Sequence, residues 1–231
     1  MLNAESELTT AEELLLLALD PESGRISSHP VELLKGALAG AVLMDLFRKG
    51  CITLVDERIV PGADTGERWC DDVLARVREL PAPRGIAFWV DAFGYETSNA
   101  ESWTISSLLA SGMLKERRAL DFIPDKHYTL LQPAVRTAIV AKVLDGLTVD
   151  PPMARQVIAL VVCASACGVL DAVVPHAARQ AMSQRVSAIL QSGSGTSSNE
   201  KSEESDAITT AVYSSIYSPG LGHGRPTVPL P

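Results

Sequence analysis

Asp71 and Asp72 stand side by side, and paired carboxylates are the first residues to test for acid–base chemistry. Consecutive helical residues point about 100° apart, so the two do not converge on one substrate atom. They read as a solvated acidic face. Cys163 and Cys167 are one helical turn apart, a spacing that two metal ligands can use, but no His or further Cys joins them. The other cysteines, Cys51 and Cys70, complete a set of four with no C-x-x-C pair. That usage points to reduced structural thiols and a cytoplasmic setting, not to zinc or a disulfide scaffold.

His29, His127, His176 and His223 are scattered with no ligand spacing. The stretch "SGSGTSS" lacks the Gly-Lys-Ser/Thr end of a phosphate loop, and "GLGHG" has no strand before it. The residues therefore point to no catalysis, no metal and no cofactor. A net charge of −8 argues against nucleic acid, whose phosphates need a basic surface.

The elements that must position any site are mostly helical. "TTAEELLLLALD", from Thr9, opens with two overlapping Thr-x-x-Glu capping boxes. It runs through four consecutive leucines and ends at Asp20-Pro21. A helix of about ten residues is too short to cross a bilayer, and no basic, cleavable leader precedes it. Pro30 opens a second helix to about Lys49, with Gly36, Ala37, Ala39, Gly40 and Ala41 allowing a neighbour to come close. "CITLVDERIV" reads as a short hairpin, followed by helices on "GERWCDDVLARVREL", "GIAFWVDAF" and "SWTISSLLASGML". Residues 113–131 read as two strands joined through Pro124-Asp125-Lys126. Gln132-Pro133 begins a helix to about Asp145, and Pro151-Pro152 precedes a central buried helix whose uncharged run covers residues 156–170. A further helix spans about 175–190.

The expected fold is mostly α: a single helical domain over residues 1–190, with small β-hairpins. Residues 191–206 are polar and Gly/Ser/Glu-rich, read as a flexible linker. Residues 207–218 are apolar enough to be a C-terminal helix docked on the domain, and 219–231 read as a disordered tail.

Five stretches, in order, resemble the Golgi phosphoprotein three family, the phosphatidylinositol-4-phosphate readers of the Golgi and their bacterial relatives. They are "LTTAEELLLLALD", "ALAGAVLMDLFRKGCITL", "ADTGERWCDDVLARV", "FWVDAFG" and "RQVIALVVCASACGVLDAVV". The resemblance covers about residues 7–218. It implies a non-enzymatic peripheral membrane adaptor that reads a phosphoinositide and holds membrane-resident glycosyltransferases. It places the protein on the cytosolic face of a membrane, the Golgi in a eukaryote.

The headgroup pocket of eukaryotic relatives uses a Trp and three Arg. Here the matching positions carry Pro30, Ala39, Ser98 and Glu101. A phosphate monoester is best held by bidentate guanidinium groups, and an acid repels it. Lys35, one turn before Ala39, and Trp103, near the mapped pocket, are the lipid-binding candidates that remain. Trp69 and Trp89 read as core. In the family the hairpin at 113–131 protrudes, touches membrane and joins subunits. Here it carries Lys115, Arg117, Arg118, Phe122 and Lys126, and so becomes the candidate contact with anionic lipid or with a second copy in a homo-oligomer. The alternative is a soluble protein-interaction scaffold of the same fold that has lost the lipid.

Overall fold

A computed structural model describes residues 7–26, 31–95, 99–117, 126–148, 154–192 and 200–217. Among them are ten α-helices, a three-stranded sheet and a two-stranded hairpin, the mostly α architecture that the sequence implies.

The first helix, α1 (Thr10–Ala18), lies at the centre with all of its residues buried. Its amino end carries the capping box: the Thr9 hydroxyl accepts from Glu12 N, and the Glu12 carboxylate accepts from Thr9 N at 2.8 Å. Leu14, Leu15 and Leu16 are wholly buried and Leu17 nearly so. Each such side chain stabilises the fold by about 1.5–3 kcal/mol through lost apolar surface. After α1 the Asp20 carboxylate accepts from Glu22 N and Ser23 N, and the chain turns at Gly24. Gly24 has φ +73°, and a Cβ there would lie 2.4 Å from the Tyr128 carbonyl oxygen. Only glycine fits that close a crossing.

Helix α2 (Val31–Arg48) runs against α1, and its small residues let neighbours approach on several sides. Its carboxyl end leads into β1 (Ile52–Val55) and β2 (Arg58–Pro61), joined at Asp56 and Glu57, both with positive φ as a tight hairpin turn requires. After α3 (Arg68–Glu79), a two-residue strand β3 (Arg84–Gly85) pairs with β2. Then come α4 (Ile86–Tyr95) and α5 (Ala100–Ala110). An aromatic chain joins them: Phe88, Trp89, Phe93 and Trp103 meet at centroid distances of 5.2, 5.0 and 5.5 Å. Strands β4 (Leu114–Arg117) and β5 (His127–Leu130) follow in antiparallel register, with Leu114 opposite Leu130.

Helix α6 (Pro133–Thr148) extends past Asp145. Helix α7 (Arg155–Ala166) is buried along most of its length. The uncharged run at 156–170 is not one helix. It breaks at Gly168, which takes φ +74°, and restarts as α8 (Val169–Val173). A left-handed glycine ends an α-helix by satisfying its last carbonyls. A 3-10 turn (His176–Ala178) precedes α9 (Arg179–Ser192).

The last helix, α10 (Glu200–Tyr217), packs on α2, α4 and α7 through Ile208, Val212 and Ile216, all buried. It begins at Glu200, inside the stretch expected to be a linker. Gly40 of α2 is notched for this helix: a Cβ there would lie 2.3 Å from Val212 Cγ1. Residues 219–231 lie outside the described residues. Among the described residues no helix is long and apolar enough to cross a membrane.

Candidate functional site

A cleft of about 530 Å³ opens between the amino end of α1, α3 and α5. Trp69 of α3 and Trp103 of α5 supply its aromatic walls, and Val42, Val73 and Ala110 add apolar lining. Each tryptophan is held by its neighbours. The Trp69 indole donates to Glu67 at 3.1 Å, with Lys49 Nζ over its ring at 5.5 Å. Trp103 packs edge-on against Phe93, and the Arg76 guanidinium lies 5.8 Å from its ring. Two fixed aromatic planes facing a shared space make a good apolar anchor site.

The polar part of the lining combines the hydroxyls of Thr9, Thr104, Ser106 and Ser107 with three acids. Glu12 is nearly buried; one carboxylate oxygen completes the α1 cap and the other accepts from the Ser107 hydroxyl at 2.7 Å. Asp72 is exposed at the edge. Asp45 is wholly buried and accepts from Thr10 N at 2.8 Å, Thr10 Oγ1 at 2.7 Å and Ala11 N at 3.4 Å. Burial pushes its carboxyl above the ordinary range, and those hydrogen bonds together with Arg48 at 3.5 Å pull it partly back. An apolar cleft with acids around it suits a segment that is apolar in the middle and basic at its flank.

The hairpin β4–β5 is two-faced. Leu114 and Tyr128 are buried and Leu130 packs beside them, so the strands lie on the body through one face. The Tyr128 amide also donates to the Gly24 carbonyl at 2.7 Å. Only Leu114 of β4 is buried; Lys115, Glu116 and Arg117 are exposed, and Arg117 donates to the Thr129 hydroxyl at 2.9 Å. Lys126 is exposed just before β5. Arg118 and Phe122 lie outside the described residues.

The sequence matches the Golgi phosphoprotein 3 (GPP34) family over residues 10–212. The chain belongs to that family. No curated protein matches it.

Family membership sets the candidate residues in context. Ala39, at the position matched to a headgroup arginine, is completely buried in α2, facing the core rather than a surface pocket. Glu101 lies in the first turn of α5, half-buried. Pro30 and Ser98 lie outside the described residues. Lys35 is partly exposed and pairs with Glu32 at 3.6 Å; it lines neither this cleft nor the polar one described below. Lys35 and Trp103 are therefore not brought together. Trp103 belongs to the α1–α3–α5 cleft.

Sequence reasoning missed Trp69, Glu12 and Asp45 as lining residues. Asp45 carried a signal: it is a lone acid inside the apolar run "AVLMDLF", and a charge there needs partners if it is buried. Asp71 departs from its expected role. Its carboxylate accepts from Thr65 N at 2.8 Å and Gly66 N at 3.1 Å, closing the turn before α3. Burial pushes all four cysteine thiols up, Cys70 and Cys167 to about 12. They are not nucleophiles at neutral pH. Among the described residues no three His, Cys, Asp or Glu gather as metal ligands.

Proposed function

We propose that this protein is a non-enzymatic peripheral membrane adaptor. It docks a short protein segment in the α1–α3–α5 cleft while the outer face of the β4–β5 hairpin meets an anionic bilayer on the cytosolic side. The observation that carries this reading is the cleft itself. Two held tryptophans and three acids in the lining make a recognition surface, and the lining offers no activated nucleophile. The fitting partner is an apolar stretch flanked by Lys or Arg, as found where a membrane protein leaves the bilayer.

Lipid attraction in this reading is a charge effect. Lys115, Arg117 and Lys126 each contribute about 1 kcal/mol near an anionic surface, and salt weakens them. Phosphatidylinositol-4-phosphate is bound as one anionic lipid among others, because the positions that the resemblance aligns with headgroup arginines carry Ala39 and Glu101, neither of them a cation. The same two residues favour the second reading, a soluble scaffold of this fold without lipid binding.

Vesicle flotation separates them. Phosphatidylcholine vesicles are compared with vesicles carrying phosphatidylserine or phosphatidylinositol-4-phosphate at equal charge. The adaptor reading expects equal recruitment to both anionic types, lost in the Lys115→Glu/Arg117→Glu variant. No recruitment leaves the scaffold. A clear phosphatidylinositol-4-phosphate preference that Lys35→Ala abolishes would mean that Lys35 has rebuilt the pocket.

A further inference from the structure

A second cavity of about 520 Å³ lies where the carboxyl end of α2, strand β1, the amino end of α7 and helix α10 meet. Its lining differs in kind from the tryptophan cleft. Among the described residues its lining carries Arg48, Lys49 and Arg155 and the carboxylate of Asp45. Asp45 is already engaged by the Thr10 and Ala11 donors and by Arg48. Lys49 pairs with Glu67 outside the lining. Arg155 is exposed and has no carboxylate partner among the described residues. In a chain of net charge −8, the described lining carries more cations than acids.

The remaining walls add two features. Thr53, Ser205 and Thr209 supply hydroxyls, while Met44, Phe47, Ile52 and Ile208 supply apolar surface. The amino end of α7, where Arg155 stands, has no side-chain cap, so its positive dipole end supplements the cations. The volume falls in the range of small-molecule sites, about 300–1,000 Å³.

We propose that this cavity binds a water-soluble phosphate monoester, its phosphate held by Arg48 and Arg155 and its organic part against Phe47, Ile52 and Ile208. Vesicle recruitment of the Arg155→Glu variant decides between a soluble ligand and a lipid headgroup. Asp45 fixes this cavity at the amino end of α1, whereas the loop leaving the carboxyl end of α1 hydrogen-bonds the hairpin through Gly24 and Tyr128. Asp45 and the hairpin thus contact α1 toward opposite ends. The site stands apart from the adaptor reading and does not depend on it.

The test is calorimetric titration with phenyl phosphate, inorganic phosphate and phenol at constant ionic strength, with hydrogen exchange read over residues 205–216. Phenyl phosphate should bind saturably, at least tenfold more tightly than inorganic phosphate, and should slow exchange in α10. Arg155→Glu should weaken it at least tenfold. That variant keeps the fold, because an acid in the first turn of α7 suits the helix dipole. Its recruitment to phosphatidylinositol-4-phosphate vesicles should be unchanged. Three outcomes would overturn the proposal: no saturation by about 10 mM, a Kd that represents only about −2.7 kcal/mol; affinity unchanged in Arg155→Glu; or inorganic phosphate binding as tightly as phenyl phosphate. Loss of vesicle recruitment in Arg155→Glu would instead place the phosphate chemistry on the lipid and overturn the soluble-ligand assignment.

Discussion

Helices α1 and α10 both rest on α2 and α7, yet they are seated by different physics. Polar bonds tie α1 at both ends and along its side. Asp45 receives its first amides. Arg136 of α6 donates to the Leu16 and Leu17 carbonyls at 3.1 and 3.3 Å. Glu13 takes the Lys142 ammonium at 2.8 Å, and Gln156 donates to the Leu8 carbonyl at 2.8 Å. Helix α10 is held by the stripe Ile208, Val212 and Ile216, and the hydroxyls of Thr209 and Ser215 turn back to carbonyls of their own helix. Directional bonds fix a helix in rotation and in depth. An apolar stripe supplies comparable energy with looser register. The rigid helix forms one wall of both cavities, and the looser one closes only the polar cavity.

The sharpest way to break the contrast is Asp45→Ala. It strands the Thr10 amide and hydroxyl and the Ala11 amide in the interior, and urea denaturation should show a loss of about 3 kcal/mol. A loss below about 1 kcal/mol would put α1 in the same class as α10. Asp45→Asn sharpens the point through pH. Burial raises the folded-state value of Asp45, so the folded state holds its proton more tightly than the unfolded chain. Wild-type stability relative to Asp45→Asn should therefore fall as pH rises from the ordinary carboxylate range through the raised value. A wild-type Tm that rises relative to that of Asp45→Asn as pH increases would reverse the assigned sign.

Lys142→Ala comes next, at about 2 kcal/mol near neutrality, because it leaves the Glu13 carboxylate buried without its cation. Burial already pushes Glu13 up while Lys142 pulls it down. Without the lysine the value rises further, so the deficit should shrink as acid protonates Glu13 and grow as pH rises. Thermal melts between pH 4 and 8 measure this, and a pH-independent deficit would assign the effect to packing alone.

Gly40→Ala should have the smallest global effect, about 1 kcal/mol, because overpacking against Val212 is offset by the better helix propensity of alanine. Its local effect should be larger: amides of α10 should exchange faster while those of α1 keep their rate. Adding Val212→Ala should restore slow exchange. Equal acceleration in both helices would mean that the two are one cooperative unit.

Much of this architecture was legible in the chain. The Thr9–Glu12 cap, the alternation around Asp56-Glu57 and the prolines ahead of α6 and α7 are local signals, and local signals survive without a fold. Strand β3 was not legible, since two residues carry no period. The break at Gly168 lay hidden in an unbroken apolar run, and the acids opening α10 were read as linker composition. The α1–α3–α5 cleft was the least accessible feature. It is assembled from residues 9–12, 42–45, 69–73 and 103–110, and no spacing within any one of those segments marks a shared wall. Trp103 was legible as a candidate because it lies near the pocket that the family resemblance maps. Trp69 was read as core because a half-buried tryptophan and a cleft wall share one sequence pattern.

The bonds that seat α1 also set a timetable. Its partners in α6 and α7 lie 119 to 148 residues further along the chain. At about 5–20 residues per second of synthesis, the four-leucine helix waits on the order of ten seconds for the segments that cover it. During that wait it is the most adhesive part of the nascent chain, and chaperone occupancy on ribosomes should peak before Gln156 emerges and fall once it has.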